Sequence, residues 1–132
     1  MFNFKFNKRN LFGNFRKKST SRSSRFIGEY KVLKQEELYD FLKDDVYIID
    51  VRTENEFRGL RVKNAINIPL MVLSRDINSV IPNTDTKILV YCTTGERAML
   101  AIQKLNSLGY RNIYIWGNGG LNTLKYKDIL EY

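Results

Sequence analysis

Apolar residues occur in five short runs separated by polar or amphipathic segments. The runs cover residues 30–33, 46–49, 65–68, 88–91 and 113–116. The run at 46–49 is apolar without strict alternation, which is typical of parallel strands buried on both faces. Each run is long enough for one strand and too short for a helix. The pattern therefore predicts five strands.

The segments between these runs predict helices. Leu38, Phe41 and Leu42 share one face of a predicted helix over 35–43, and Thr53 is placed to cap a short helix that contains Glu54 and Glu56. Further helices are predicted over 70–77, over 97–108 and over 121–130. The helix over 97–108 is the clearest, because apolar residues recur at three- and four-residue steps before Gly109, which suits a helix end. Alternating strands and helices predict an α/β domain.

Three predicted strands end in polar residues. The ends are Asp50-Val51-Arg52, residues 92–97 and the Gly-Asn-Gly-Gly loop at 117–120. In parallel sheets the functional site lies outside the carboxyl ends of the strands. We therefore expect these three segments to meet at one edge of the sheet.

Cys92 is the only cysteine and stands where the strongest predicted strand stops. A polar turn containing Gly95 follows it, and then a helix begins. The first amides of a helix lack partners within the helix and favour negative charge, which can lower the pKa of a cysteine held there. Arg97 adds a positive charge to the same loop. These features indicate a thiolate nucleophile in an anion-binding cradle, whereas a cysteine at a strand end without such a loop is more often a packing residue.

Composition narrows the chemistry. The chain has 132 residues and no histidine, which excludes a cysteine–histidine catalytic pair and a cysteine–histidine zinc site within one chain. We expect no metal and no cofactor. One cysteine cannot form an internal disulfide, and no apolar run approaches the roughly 18 residues that span a membrane. A cytoplasmic location is therefore expected.

The net charge of +8 comes from the N-terminal segment. Residues 1–27 hold eight of the 22 Lys and Arg residues and none of the 14 acids, so residues 28–132 have 14 of each sign. We predict that residues 1–27 form a basic, disordered extension and that residues 28–132 form the folded domain. Two alternatives for the extension are an organelle transit peptide and a segment that contacts anionic lipid or nucleic acid. No specific nucleic-acid partner is predicted.

The motifs along 28–125 resemble a rhodanese-like domain of the single-domain type. The first half of the resemblance is carried by residues 49–52, Glu56-Phe57, Gly59 and residues 64–70. The second half is carried by residues 90–92, Gly95, Arg97, Leu105, residues 109–110, residues 112–114 and Gly119-Gly120. This resemblance implies a three-layer fold with a mainly parallel five-stranded sheet and helices on both faces. It also implies sulfur transfer from a small anionic donor, such as thiosulfate, to cyanide, a thiol or a sulfur-acceptor protein.

The resemblance also implies roles for individual residues. Cys92 would be the nucleophile that carries the persulfide. The loop residues would bind the persulfide and the anionic group of the donor; they are Thr93, Thr94, Gly95, Glu96 and Arg97. Asp50, Arg52 and Arg58 would support the site, the first two through a partly buried ion pair. From the residues alone, Asp50 could be a cap or turn residue and the two arginines ordinary surface charges.

Two other functions stay open at this point. One is a cysteine-dependent phosphatase or arsenate reductase, although related phosphatases place five residues between cysteine and arginine and only four separate Cys92 from Arg97 here. The other is a non-catalytic binding or regulatory module, a type that commonly lacks the cysteine. The neutral Thr93, where thiosulfate-using relatives often have a basic residue, weakens the expectation of thiosulfate itself.

Overall fold

The computed structural model describes residues 28–132. The predicted basic extension at 1–27 lies outside the described residues, so its boundary and character stay predictions. In chain order the strands are β1 (Lys31–Leu33), β2 (Tyr47–Asp50), β3 (Arg61–Val62), β4 (Ile66–Asn67), β5 (Ile88–Tyr91), β6 (Ile113–Trp116) and β7 (Leu130–Glu131). The α-helices are α1 (Leu38–Phe41), α2 (Glu54–Gly59), α3 (Leu73–Val80) and α4 (Glu96–Ser107).

Five strands form one parallel sheet in the order β1-β6-β5-β2-β4. These are the five strands that the apolar runs predict. All four residues of β5 and all four of β6 are buried, which explains why both runs are continuously apolar. In the register, Asp50 lies opposite Tyr91 on one side and Asn67 on the other. The residues that follow β2, β4 and β5 therefore leave the sheet at the same edge.

Both faces of the sheet are covered, as the family resemblance implies. One apolar cluster packs α3 and α4 onto the sheet and includes Leu73, Ile77, Ile102 and Leu105. The cluster on the other face contains Leu38 of α1, Val62 of β3, and Leu121 and Leu124 of the C-terminal segment, packed around Tyr91 and Trp116. The two clusters clamp β5 from both sides and so fix the position of the loop that follows it.

The predicted helix over 121–130 is wrong. The segment consists of two 3₁₀ turns, Leu121–Thr123 and Lys127–Ile129, followed by β7, which pairs with β3 in a separate antiparallel ribbon. The amides of Leu121 and Asn122 donate to the carbonyls of Cys92 and Thr93 at 2.9 and 3.0 Å. Pairing with the loop after β5 therefore replaces the helix that the apolar spacing suggests.

Two other predicted helices are present in part. The segment 35–43 contains a 3₁₀ turn, Gln35–Glu37, and only one turn of α-helix in α1. The segment 70–77 begins as a 3₁₀ turn, Leu70–Val72, and α3 then continues to Val80. Within residues 28–132, no helix combines the length and the apolar character needed to cross a membrane.

Candidate active site

Cys92 lies directly after β5 and its backbone is paired on both sides. Its amide donates to the carbonyl of Gly119 at 3.0 Å, and its own carbonyl accepts from the amide of Leu121 at 2.9 Å. Cys92 and Gly120 thereby form a parallel bridge that extends the sheet by one step beyond β5. The side chain of Cys92 is fully buried. The prediction that the segments after β5 and β6 meet is confirmed.

The sulfur of Cys92 accepts two backbone hydrogen bonds. The amide of Gly95 is 3.0 Å from Sγ and the amide of Ala98 is 3.3 Å from it. Both amides belong to the start of α4, whose 12 residues direct the positive end of the helix dipole at the sulfur. Apolar residues also surround Cys92, which belongs to the core cluster under α3 and α4. The residue therefore packs in the core while its sulfur faces two backbone N–H donors at the start of α4.

Two glycines let the loop after β6 approach this cradle. Gly95 has φ +100°, and a Cβ there would lie 2.2 Å from the carbonyl oxygen of Asn118. A Cβ at Gly120 would lie 2.6 Å from the carbonyl oxygen of Thr93. The Asn118 side chain also donates to the carbonyl of Thr94 at 3.1 Å. Residues 117–120 therefore hold the loop after β5 from the side, and larger residues at 95 or 120 would separate the two loops.

Arg97 does not stand alone in the loop, because α2 supplies a carboxylate to it. Nη1 and Nη2 of Arg97 donate to Oε1 and Oε2 of Glu56 at 2.8 and 3.1 Å. The hydroxyl of Thr93 donates to Oε2 of Glu56 at 3.4 Å and lies 3.5 Å from Nη2 of Arg97. The sequence prediction treated Arg97 as a free positive charge, and Glu56 only as an early residue of a helix. The structure adds the ion pair between these two residues, which the sequence did not predict.

The pair changes the titration of both partners. Hydrogen bonds from Arg97 lower the pKa of Glu56 to about 2, although burial acts in the opposite direction. The Glu56 carboxylate is in turn the main cause of the raised pKa of Arg97, to which Cys92 and Asp50 add smaller contributions. Glu56 is therefore ionised throughout the neutral and mildly acidic range. Arg97 is also close enough to Cys92 to be influenced by it electrostatically.

Asp50 and Arg52 form the buried ion pair that the resemblance implies. Nη2 of Arg52 is 2.8 Å from Oδ2 of Asp50, and the side chains are 6% and 0% exposed. The Arg52 guanidinium also donates to the carbonyl of Leu60 and lies over the ring of Tyr91. The Asn67 side chain donates to the carbonyls of Asp50 and Arg52 at 3.0 and 2.9 Å. This network fixes the chain between β2 and α2, and so fixes the helix that carries Glu56.

The structure does not bring every predicted residue to the cradle. Arg58 lies on the surface, where its guanidinium pairs with the carboxylate of Glu54 at 2.9 Å. The side chains of Arg58 and Glu54 are 67% and 70% exposed. Thr94 and Glu96 are exposed, whereas Thr93 is half-buried and Gly95 is buried. The cradle itself therefore consists of the loop backbone, Cys92, Thr93 and Arg97, with Glu56 added from α2.

Comparisons with known proteins give a consistent result. Thiosulfate sulfurtransferase PspE of Escherichia coli (strain K12) is 32% identical over 76 residues, which cover 58% of this chain and 71% of that protein. The tRNA uridine(34) hydroxylase of Wolbachia sp. subsp. Brugia malayi (strain TRS) is 34% identical over 91 residues, 65% of this chain, yet the match spans only 34% of the hydroxylase. This chain thus corresponds to about a third of that relative.

Solved structures with a similar fold are also rhodanese proteins. The structure described as rhodanese with anions from E. coli superimposes with a TM-score of 0.53 and 31% identity, covering 58% of this chain and 88% of that one. The family model for the rhodanese-like domain matches residues 34–125. That range includes the ends of β2, β5 and β6 and the whole cradle around Cys92. With fold, site and family model in agreement, the chain belongs to the rhodanese-like domain family.

Proposed function

We propose that this protein is a sulfurtransferase that carries sulfane sulfur as a persulfide on Cys92. The observation that carries the proposal is the pair of backbone N–H groups, from Gly95 and Ala98, on the Cys92 sulfur. Donors aimed at a sulfur stabilise it as an anion, both as a thiolate and as a terminal persulfide. PspE, 71% of which is covered by the match to this chain, is named as a thiosulfate sulfurtransferase.

The reaction balances with groups that the site contains. The Cys92 thiolate attacks the outer sulfur of thiosulfate, a new S–S bond forms, and sulfite leaves with the electron pair of the broken S–S bond. Cyanide or a thiolate then attacks the outer sulfur of the persulfide, so that thiocyanate or a new persulfide is released and the Cys92 thiolate returns. Neither step transfers a proton at the reacting sulfur. A chain that contains no histidine can therefore carry out both.

The loop offers further donors for an anion. The amides of Glu96 and Arg97 lie in the first turn of α4, where the helix itself supplies no acceptor. They support binding of the oxygen atoms of a donor next to the sulfur. The guanidinium edge of Arg97 is bound to Glu56, which counts against a phosphatase, since that chemistry needs an arginine directed at the phosphate.

The partners that we propose are a small anionic sulfur donor and, as acceptor, cyanide, a thiol or a sulfur-acceptor protein. We also propose that residues 1–27 contact anionic surfaces.

The test is mass spectrometry after exposure to thiosulfate, polysulfide or 3-mercaptopyruvate, followed by addition of cyanide. We expect an adduct with the mass of one sulfur atom on Cys92, and thiocyanate in the supernatant. Cys92→Ser should reduce turnover to background, because an alkoxide does not form at neutral pH, and should unfold at nearly the same temperature as the wild type. Undiminished turnover by this variant, or no adduct with any donor, would overturn the proposal and favour a non-catalytic module.

A further inference from the structure

Glu56 reaches the cradle from another element and uses both carboxylate oxygens. Oε1 accepts from the amide and the hydroxyl of Thr53 at 2.9 and 3.1 Å and from Nη1 of Arg97 at 2.8 Å. Oε2 accepts from Nη2 of Arg97 at 3.1 Å and from the hydroxyl of Thr93 at 3.4 Å. Glu56 thus joins the N-terminus of α2 to the loop that holds Cys92.

This contact determines the net charge beside the sulfur. Arg97 is the only cationic side chain between Cys92 and the end of the first turn of α4, and its bidentate contact with Glu56 balances that charge. The loop also carries the exposed Glu96, and the charge of buried Asp50 acts on Arg97 as well. Attraction for an anion therefore comes mainly from N–H dipoles rather than from a full positive charge. Dipoles discriminate less than a full charge between donors that carry one or two negative charges.

We propose that Glu56 is a specificity-determining residue for the charge of the sulfur donor: by balancing Arg97, it reduces the advantage that a dianionic donor would otherwise have over a singly charged one. This inference rests on the proposed sulfur transfer, since it concerns the same cradle. The inference accounts for two features of the loop: a neutral residue, Thr93, follows the nucleophile, and the one arginine, Arg97, is paired with a carboxylate. It also identifies α2, rather than the loop alone, as the element that selects the donor.

Glu56→Gln separates this role from the role of Glu56 in the cap of α2. Glu56 forms a reciprocal capping box with Thr53, and a glutamine at the same position can accept the same hydrogen bond from the Thr53 amide. The amide cannot balance the charge of Arg97. The variant therefore keeps α2 and leaves one uncompensated positive charge beside Cys92. Glu54→Gln is the matched control, because it removes the same charge from the same helix at a pair directed away from the cradle.

The first measurement is the ratio of the rates at which iodoacetate and iodoacetamide alkylate Cys92, the only cysteine of the chain. The two reagents are close in size and differ by one negative charge, so the ratio reports the charge near the sulfur. For Glu56→Gln we expect the ratio to rise about fivefold, as for one unit charge at about 4 Å in a water-like dielectric. Arg97→Ala should lower it below the wild-type ratio, because Glu56 then lacks a partner. Glu54→Gln should leave it nearly unchanged.

The second measurement compares thiosulfate, a dianion, with benzenethiosulfonate, a monoanion, as donors to cyanide. Attack of Cys92 on the outer sulfur releases sulfite from the first donor and benzenesulfinate from the second. We expect Glu56→Gln to raise kcat/KM for thiosulfate relative to benzenethiosulfonate by about fivefold, for the same electrostatic reason. The difference in size between the donors cancels when the ratio is compared between variants.

The outcomes separate this inference from the proposed function. An unchanged alkylation ratio in Glu56→Gln, or a change equal to that of Glu54→Gln, would overturn the inference even if sulfur transfer is observed. Failure of both reagents to reach Cys92 in the folded protein would also overturn it, because donor selection requires an accessible sulfur. If sulfur transfer is absent but the alkylation ratio changes as expected, the proposed function fails while the assignment of charge control to Glu56 stands.

Discussion

Two arginine–carboxylate pairs involve the segment 50–56: Asp50 with Arg52, and Glu56 with Arg97. The two pairs differ chiefly in burial. Asp50 and Arg52 are two residues apart in sequence, and their side chains are almost completely buried. Glu56 and Arg97 are 41 residues apart, and their side chains are 37% and 33% exposed. Both arginines use two nitrogens on one carboxylate. The chemistry of the two contacts is thus the same, while the surroundings are different.

The difference indicates what each pair can do. Breaking a buried pair leaves a charge without water, so the pair acts as a fixed structural element even though forming it gains little net energy. A partly exposed pair contributes little to stability and can separate at low cost, because water solvates each partner. We therefore infer that the Asp50–Arg52 pair holds the backbone of the site in place, and that the Glu56–Arg97 pair sets the charge beside Cys92. Three predictions test this assignment, beginning with the largest effect.

Asp50→Asn is the strongest test of the comparison. It removes one charge with little change in shape and leaves Arg52 buried without a counter-ion. We expect a loss of about 3–5 kcal/mol in the free energy of unfolding, measured by urea denaturation. Glu56→Gln, the same chemical change at the exposed pair, should cost about 1 kcal/mol or less. Equal losses in the two variants would show that burial does not distinguish the pairs.

The second prediction concerns acid. The pKa of Glu56 is lowered from its ordinary value of 4.5 to about 2, so its ionised form is favoured in the folded protein. Its contribution to stability is present above pH 4.5 and is lost as the pH falls towards 2. The stability advantage of the wild type over Glu56→Gln, followed by urea denaturation at several pH values, should therefore shrink across this range. A constant difference down to pH 2 would contradict this.

The smallest expected effect is that of salt. Raising the ionic strength from about 0.01 to 1 M shortens the screening length from about 30 to 3 Å. The wild-type advantage over Glu56→Gln should decline, whereas the cost of Asp50→Asn should persist, because ions do not enter the buried pair. Thermal or urea unfolding at both salt concentrations measures the two differences. A parallel decline in both would indicate that the buried network opens to solvent.

Much of this architecture follows from local sequence. Five apolar runs predicted five strands, and Thr53 was correctly expected to cap α2, since its hydroxyl accepts from the amide of Glu56 at 3.2 Å. The position of Cys92 between β5 and α4 also follows from the chain itself. These features depend on residues close together in sequence, and the capping and periodicity rules describe such residues well.

The features that the sequence did not predict depend on distant contacts. The apolar spacing at Leu121 and Leu124 suits a helix, yet the amide of Leu121 is bound to the carbonyl of Cys92, 29 residues earlier. Glu56 carries a clear local signal as a capping residue, and that signal conceals its second partner, Arg97. The resemblance implies a supporting role for Arg58, whereas the ion pair that Arg58 forms is with Glu54, four residues away on the exposed face of α2.

The backbone bonds of Cys92 also bear on how sulfur would be delivered. With its amide tied to residue 119 and its carbonyl tied to residue 121, Cys92 cannot swing outward as a mobile carrier arm would. A persulfide extends the reach of the residue by one S–S bond, about 2 Å. Under the proposed function, an acceptor would therefore have to travel to the sulfur, which would favour cyanide or a thiolate at the tip of an extended chain over a cysteine embedded in a rigid surface.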